Sequence, residues 1–216
     1  MGVPRGERAP GLPDHCTAPP FAPVGRSRPR WDDEGVENLR GSLLLAGGKL
    51  YDPNFRRSVV LVAEHGDEGA LGLILNRPAD IRVDEAAPPL AGLVEPGAQL
   101  FLGGPVQKEA VIVLAEFAGD AGYGTPVLGS IGFAPPDLEP DVLRGILRAR
   151  VFAGYAGWGP GQLEGEVGEE AWIVEPARAD DVFTCEPERL WTSVLRRKGG
   201  DEYKMLSLMP FDPSSN

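Results

Sequence analysis

The most informative stretch of this chain is Gly154-Tyr155-Ala156-Gly157-Trp158-Gly159-Pro160-Gly161-Gln162-Leu163-Glu164. It combines four glycines, a proline, two aromatic residues, an amide and a carboxylate in eleven residues. Inside a helix or strand, each glycine costs about 0.5–1 kcal/mol of stability relative to alanine. We therefore expect these glycines to provide positive φ angles or a close approach between backbone segments.

Short apolar runs on both sides of this stretch predict many strands and few helices. The predicted strands cover residues 43–46, 58–63, 70–75, 99–102, 111–114, 127–133, 150–156 and 171–174. Apolar residues at helical spacing predict amphipathic helices over 140–148 and 187–198, beside a helix after Pro160 and a short one at 83–86. Strands and helices do not alternate strictly, so an α+β fold with a mixed or antiparallel sheet is favoured over a doubly wound sheet.

Composition predicts one folded domain with loose ends. The 216 residues are 42% hydrophobic, which is enough for a core. Residues 1–37 are rich in proline and arginine and are predicted to be disordered, residues 38–210 to form one domain, and residues 211–216 to be loose. No run of 18 apolar residues or secretory leader is seen, and Cys16 and Cys185 lie far apart, so a reducing cytoplasm is expected.

Charge is divided unevenly along the chain. The net charge is −11, yet residues 1–30 hold five arginines against Glu7 and Asp14 and are locally positive. The acidic remainder would repel phosphate backbones, because non-specific nucleic-acid binding depends on lysine and arginine. Direct DNA binding by the folded part is therefore disfavoured, and binding through the arginine-rich tail stays open as an alternative.

Common catalytic and metal-binding patterns fit poorly. Ser58 and His65 are seven residues apart, about 23 Å along an extended strand, which is too far for a nucleophile and its base. Two histidines and two scattered cysteines do not have zinc-site spacing, so no metal and no cofactor is predicted. We expect His65 to be a surface turn histidine and Cys185 to be a buried, inert thiol.

Three further features have a structural explanation as well as a functional one. Gly103-Gly104-Pro105-Val106 follows a strand, but Pro105 removes a donor and a tight turn is favoured over a phosphate loop. Glu164 and Glu166 are two residues apart and do not share a helix face, so they suit a helix N-terminus better than an acid–base pair. Trp158, between glycines, could line a groove, although tryptophans more often belong to the core.

A polar cluster of loop residues is the candidate binding site. We expect four arginines to lie near Asp52, Asn54 and Asn76, namely Arg56, Arg57, Arg77 and Arg82. Guanidinium and amide groups together can recognise a small polar ligand. The alternative is that the aspartate and asparagines only cap turns beside proline.

These residues carry a resemblance to a known family. The matching motifs are Gly41–Ala46, Asp52–Phe55, Arg57–Val59, Glu64-His65, Gly69–Pro78, Phe101–Val106 and Gly154–Glu164, followed by Glu166 and Trp172. Over residues 40 to 200 the chain resembles the YqgE/AlgH family of bacterial proteins. The resemblance implies an α+β fold whose mostly antiparallel, bifurcated sheet forms a pseudo-barrel with about three flanking helices. It implies no established catalytic residues, and family members are often described as transcriptional regulators.

The sequence thus favours a non-catalytic regulatory protein that binds a small molecule or a protein partner, with any control of transcription being indirect. An enzyme of unassigned class that uses the polar loops is the alternative. We expect the motif loops to converge on one face and form a groove. The candidate ligand-binding residues are Asp52, Asn54, Arg57, His65, Asn76, Arg77, Gly104, Tyr155, Trp158 and Gln162.

Overall fold

The computed structural model describes residues 38–50, 52–119, 125–135 and 139–208. The predictions of a disordered tail over 1–37 and a loose C-terminus over 211–216 lie outside these ranges. No helix within them is both long and apolar enough to cross a membrane.

Ten strands and six α-helices make up the described part of the chain. The strands are β1 (Ser42–Ala46), β2 (Val59–Gly66), β3 (Gly69–Ile74), β4 (Pro78–Arg82), β5 (Gln99–Leu102), β6 (Val106–Phe117), β7 (Thr125–Leu128), β8 (Ile131–Phe133), β9 (Ile146–Trp158) and β10 (Trp172–Pro176). The helices are α1 (Val83–Ala86), α2 (Pro140–Gly145), α3 (Gln162–Gly168), α4 (Ala179–Val182), α5 (Pro187–Lys198) and α6 (Asp201–Leu208), with a 3₁₀ helix at Pro88–Leu93. Three of the α-helices have seven residues or more: α3, α5 and α6.

The strands form one mixed sheet that branches at β9. Its main path runs β10-β1-β2-β3-β9-β6-β8-β7, and β4 and β5 leave this path, with β5 hydrogen-bonded to β9. Every pairing is antiparallel except that of β5 with β9. The predicted α+β class and mostly antiparallel, bifurcated sheet are confirmed. The sheet is not a closed barrel in the described residues, although a Cβ on Gly41 would lie 3.3 Å from the Val127 carbonyl oxygen of β7.

Gly154 marks the branch point of the sheet. Residues before it in β9 pair with β5, and residues after it pair with β3. Its φ is +68°, and a Cβ there would lie 2.8 Å from the carbonyl oxygens of Gly104 and Val106. The expectation that this glycine-rich stretch combines positive φ with close backbone approach is confirmed at Gly154.

The sheet separates two main cores. Alternate residues of β1 point to opposite faces, so Leu43 and Leu45 enter the first core whereas Leu44 and Ala46 enter the second. Both faces are buried, which explains the continuous apolar run of this strand. The first core is closed by the apolar side of α5, and the second lies beneath α3, whose Leu163 is buried in it.

Two predicted elements have different boundaries in the structure. The helix predicted over 140–148 ends at Gly145, because Ile146 begins the long strand β9. The strand predicted over 127–133 is a hairpin, in which β7 and β8 are joined at Gly129-Ser130.

Candidate functional site

Asp52 and Asn54 form a compact turn at the surface. Asp52 Oδ1 accepts hydrogen bonds from the backbone N of Asn54 at 2.8 Å and from its Nδ2 at 3.0 Å. The backbone N of Phe55 donates to the Asp52 carbonyl at 3.0 Å. An aspartate that bonds the backbone two residues later is a common turn device. The turn places Phe55 against the rings of Trp158 and Trp172, at centroid distances of 6.3 and 5.4 Å.

Asn76 joins the end of β3 to the start of β2. Its Oδ1 accepts a hydrogen bond from the backbone N of Val59 at 2.9 Å, and its Nδ2 donates to the Arg57 carbonyl at 2.8 Å. The two bonded residues, Arg57 and Val59, flank Ser58. Ser58 is fully buried, and its Oγ has no hydrogen-bond partner among the described residues. Asn76 therefore fixes the backbone conformation on both sides of a buried polar residue.

Arg57 adopts a backbone conformation that is rare for an arginine. Its φ is +52°, and its guanidinium lies 5.0 Å from the centroid of the Trp191 ring on α5. Burial, with the neighbouring charge of Arg56, lowers the pKa of Arg57. Nearby, Arg77 donates from Nη2 to the Arg56 carbonyl at 2.9 Å, and burial lowers its pKa as well. We call Arg57, Asn76, Arg77 and Trp191 the Arg57 site.

Replacing Asn76 with leucine should destabilise the protein by about 2–3 kcal/mol. The change removes an acceptor and a donor at once and leaves the Val59 N–H and the Arg57 carbonyl without their side-chain partners. Urea denaturation followed by circular dichroism measures the free energy of unfolding. Asn54→Ala is the matched control, because within the described residues the Asn54 amide bonds to Asp52 in an exposed turn, and its loss should cost less than about 1 kcal/mol. Equal losses for the two variants would contradict the role assigned to Asn76.

A second group of motif residues is held together by one carboxylate on α3. Glu166 Oε2 accepts hydrogen bonds from the indole Nε1 of Trp158 at 3.0 Å and of Trp172 at 2.7 Å. Its Oε1 accepts from Gln162 Nε2 at 2.9 Å, and Gln162 Oε1 accepts from the backbone N of Gly159 at 3.1 Å. We call Glu166, Trp158, Trp172 and Gln162 the Glu166 network. Because both tryptophans are buried, the network fastens α3 to the second core.

His65 is not the surface turn histidine that was expected. It lies within β2, and its side chain is only 3% exposed. Nε2 is 3.0 Å from Glu164 Oε1, and Nδ1 accepts from the backbone N of Leu39 at 3.4 Å. Sequence spacing could not show that α3 would fold over this end of β2 and bring Glu164 to it.

Gly104 and Tyr155 form a third group. A Cβ on Gly104 would lie 2.2 Å from the carbonyl carbon and oxygen of Tyr155, so the two backbones are in direct contact. Tyr155 packs against the first core, whereas Trp158 belongs to the second. The candidate residues therefore do not share one face. Their ligand-binding role stays a prediction for each residue.

The described residues offer little for metal or thiol chemistry. No group of three or more potential metal-ligand side chains occurs within them. Cys185 is exposed, so the expectation of a buried, inert thiol is wrong.

Comparison with known proteins assigns the chain to a family. Residues 43–203 match the family model described as DUF179, AlgH-like, a range that contains all three groups of motif residues. The chain belongs to the AlgH-like family. A UPF0301 protein of Streptomyces coelicolor is 45% identical over 189 residues, covering 84% of this chain and 97% of the relative. A UPF0301 protein of Thermobifida fusca is 43% identical over 194 residues, covering 83% and 96%.

Solved structures of this AlgH-like type have the same fold. The crystal structure of protein DIP2367 from Corynebacterium diphtheriae has a TM-score of 0.72 at 27% identity and covers 81% of this chain and 94% of its own. The solution structure of AlgH from Pseudomonas aeruginosa has a TM-score of 0.60 at 29% identity, with coverages of 88% and 100%. The Streptomyces, Thermobifida and Pseudomonas relatives carry the designation UPF0301 or AlgH, which specifies no reaction.

Proposed function

We propose that this AlgH-like protein is a non-catalytic binding protein of the cytoplasm that recognises an anionic group, on a small molecule or a protein partner, at the Arg57 site. Any regulatory effect would then pass through the bound partner rather than through contact with DNA. The observation that carries the proposal is the left-handed backbone of Arg57, which is held by Asn76.

Backbone strain is the first support. A non-glycine residue with positive φ costs on the order of 1 kcal/mol, and such residues persist where the surroundings hold them in place. The hydrogen bond from Asn76 holds Arg57 in this conformation, and the result is a guanidinium over the face of Trp191. Strained residues of this kind concentrate at binding sites.

Local charge is the second support. Three arginines, Arg56, Arg57 and Arg77, meet at this place on a chain whose net charge is −11. Burial lowers the pKa of both Arg57 and Arg77, so these charges are partly removed from water. A planar guanidinium is suited to paired hydrogen bonds with a carboxylate or phosphate, and an oxyanion would offset the lost hydration.

The existing contacts of the acidic motif residues favour binding over catalysis. Glu166 already accepts three hydrogen bonds, and His65 lies between Glu164 and the Leu39 backbone. A general acid or base needs access to the proton that it transfers. In this arrangement the motif carboxylate and histidine serve the fold, and the arginines of the Arg57 site are the groups that we assign to ligand recognition.

The test is a binding experiment with defined anions. Inorganic phosphate, citrate and a polyglutamate peptide are titrated into the full chain at constant ionic strength, and thermal unfolding and calorimetry report binding. Arg57→Ala and Arg77→Ala should each weaken the binding of the preferred probe about tenfold to a hundredfold, because a hydrogen bond to a charged group contributes about 1.5–3 kcal/mol. Arg196→Ala, an exposed arginine on α5, is the control and should bind normally.

Two results would refute the proposal. One is equal affinity of all four proteins for every probe that binds. The other is the absence of binding to any probe, together with a native mass spectrum of the gently purified protein that shows no additional mass.

A further inference from the structure

Arg150 is a charged side chain on the inner face of the sheet. It lies on β9 opposite Leu114 of β6, and both Leu114 and Phe152, two residues further along β9, belong to the first core. Its guanidinium lies 4.2 Å from the centroid of the Phe101 ring. Nη2 donates to the Thr184 carbonyl at 2.7 Å. Nη1 is buried and has no hydrogen-bond partner among the described residues.

The neighbouring Arg148 shows what Arg150 lacks. Arg148 is two residues earlier on the same face of β9 and likewise stacks on a phenylalanine, Phe183, at 4.5 Å. Two carboxylates lie beside Arg148: its Nε is 2.5 Å from Glu116 Oε2, and its Nη2 is 3.7 Å from Asp180 Oδ1. The ion pairs found among the described residues include none for Arg150. Two similar arginines thus differ in that only Arg148 has a counter-charge within the described structure.

This difference matters because Arg150 remains charged. Burial, with the nearby charge of Arg148, lowers the pKa of Arg150 to about 10, which still leaves the side chain protonated at neutral pH. A buried charge without a partner is strongly destabilising, and a buried polar atom without an acceptor requires an explanation. The chain has 32 acidic residues, so a carboxylate partner was chemically available and is not used here.

The surroundings of Arg150 favour an oxyanion as the missing partner. Thr184, whose carbonyl accepts from Arg150, lies in the connection between α4 and α5 and is close to the first residue of α5. Arg150 Nη1 therefore offers a hydrogen-bond donor and a positive charge, and none of the contacts found for Arg150 among the described residues brings a negative charge.

We propose that Arg150 forms the base of a second anion site, which takes a small oxyanion, a carboxylate or phosphate, beneath the connection Phe183–Glu186. The site is separate from the Arg57 site, and its existence does not depend on the function proposed there. The oxyanion accepts a hydrogen bond from Arg150 Nη1 and supplies the counter-charge that Arg148 obtains from Glu116. Nη1 is buried in the unliganded protein, so the residues around it shift when the anion binds.

The test measures thermal unfolding of the full chain as sodium chloride is replaced by sodium phosphate or sodium acetate at constant ionic strength. The wild-type protein should gain several degrees in Tm with at least one of the two anions, and the preferred anion distinguishes phosphate from carboxylate recognition. Arg150→Met should lose this gain. Without added anion it should unfold at the same or a higher temperature than the wild type, because the unpaired charge is gone.

Arg148→Met is the matched control. It removes a stacked arginine from the same face of β9 and should keep the anion-dependent gain, even if its starting Tm is lower. Arg150→Lys keeps the charge without the planar donor pair and should show a smaller gain than the wild type.

Three results would overturn the inference. A wild-type Tm that does not respond to either anion would do so without any variant. So would a full anion-dependent gain in Arg150→Met or Arg150→Lys. A gain that disappears in Arg57→Ala but survives in Arg150→Met would assign anion binding to the Arg57 site alone.

Discussion

Glu166→Leu is expected to destabilise the protein by about 3–5 kcal/mol. One carboxylate accepts hydrogen bonds from Trp158, Trp172 and Gln162, so its loss leaves two buried indole N–H groups without an acceptor. An unsatisfied buried donor costs about 1–3 kcal/mol, and bonds to a charged acceptor are the stronger ones. Urea denaturation followed by tryptophan fluorescence measures both the free energy of unfolding and the indole environment.

Two companion variants make this result specific. Glu166→Gln keeps one carbonyl oxygen as an acceptor and should lose about half as much stability as Glu166→Leu. Glu169→Ala removes an exposed glutamate just past the end of α3 and should change stability by less than about 0.5 kcal/mol. If Glu166→Leu were no more destabilising than Glu169→Ala, the three hydrogen bonds would make no net contribution to the free energy of unfolding, and the Glu166 network would not stabilise the fold.

Elements whose sequence pattern is strong and local were predicted well. The strand at residues 99–102 and the helix at residues 187–198 have the boundaries expected from the sequence. In the helix, Leu190, Trp191, Val194 and Leu195 form one apolar side, and all four are buried. Such periodicity reports burial directly, because each side chain either faces the core or does not.

Elements that depend on distant pairing were predicted poorly. β6 runs over twelve residues, whereas the sequence predicted a strand only at residues 111–114. The first residues of β6 were missed because apolar and polar side chains alternate little there and most of them are exposed. It is a strand there because β9 lies beside it, pairing Tyr155 with Val106 across a bulge. The boundary between α2 and β9 has the same origin, since the apolar residues Ile146 and Leu147 suit a helix locally but continue a strand in the sheet.

The candidate site shows the same limit. Sequence reasoning placed Arg57, Asn76 and Arg77 together, and hydrogen bonds in the structure do join their segments. It missed that Trp191, on a helix far along the chain, would lie under Arg57. It also missed Arg150. No local sequence pattern can show that a buried arginine will have no carboxylate partner among the described residues.

The motifs that identify the family mainly build the fold. Asp52 closes a turn, Asn76 joins two strands, and Glu166 holds two tryptophans. A resemblance that rests on these residues therefore supports the fold more strongly than it supports a shared activity. Arg57 has a strained backbone, and Arg150 lacks a counter-charge among the described residues, so these two arginines are better candidates for function than the motif residues.

Gly104→Ala is expected to destabilise the protein by about 4 kcal/mol or more, enough to prevent folding of a marginally stable chain. A Cβ at this position would lie 2.2 Å from the carbonyl carbon and oxygen of Tyr155 and 2.3 Å from the backbone N of Ala156. All three atoms belong to the backbone of β9, so no side-chain rotation can relieve the overlap. Losses of this size are uncommon for single substitutions and point to a named steric cause. Soluble yield and thermal unfolding report the effect.

The matched control is another glycine-to-alanine change, at Gly165 of α3. A Cβ on Gly165 of α3 would meet nothing within 4 Å, so Gly165→Ala should stabilise the protein by about 0.5–1 kcal/mol through its helix propensity. Opposite signs for the two variants would show that Gly104 is required for the contact between the β5–β6 connection and β9. A folded Gly104→Ala protein of wild-type stability would mean that this contact is looser than the structure shows, and it would restore a ligand-binding role as the better explanation for Gly104.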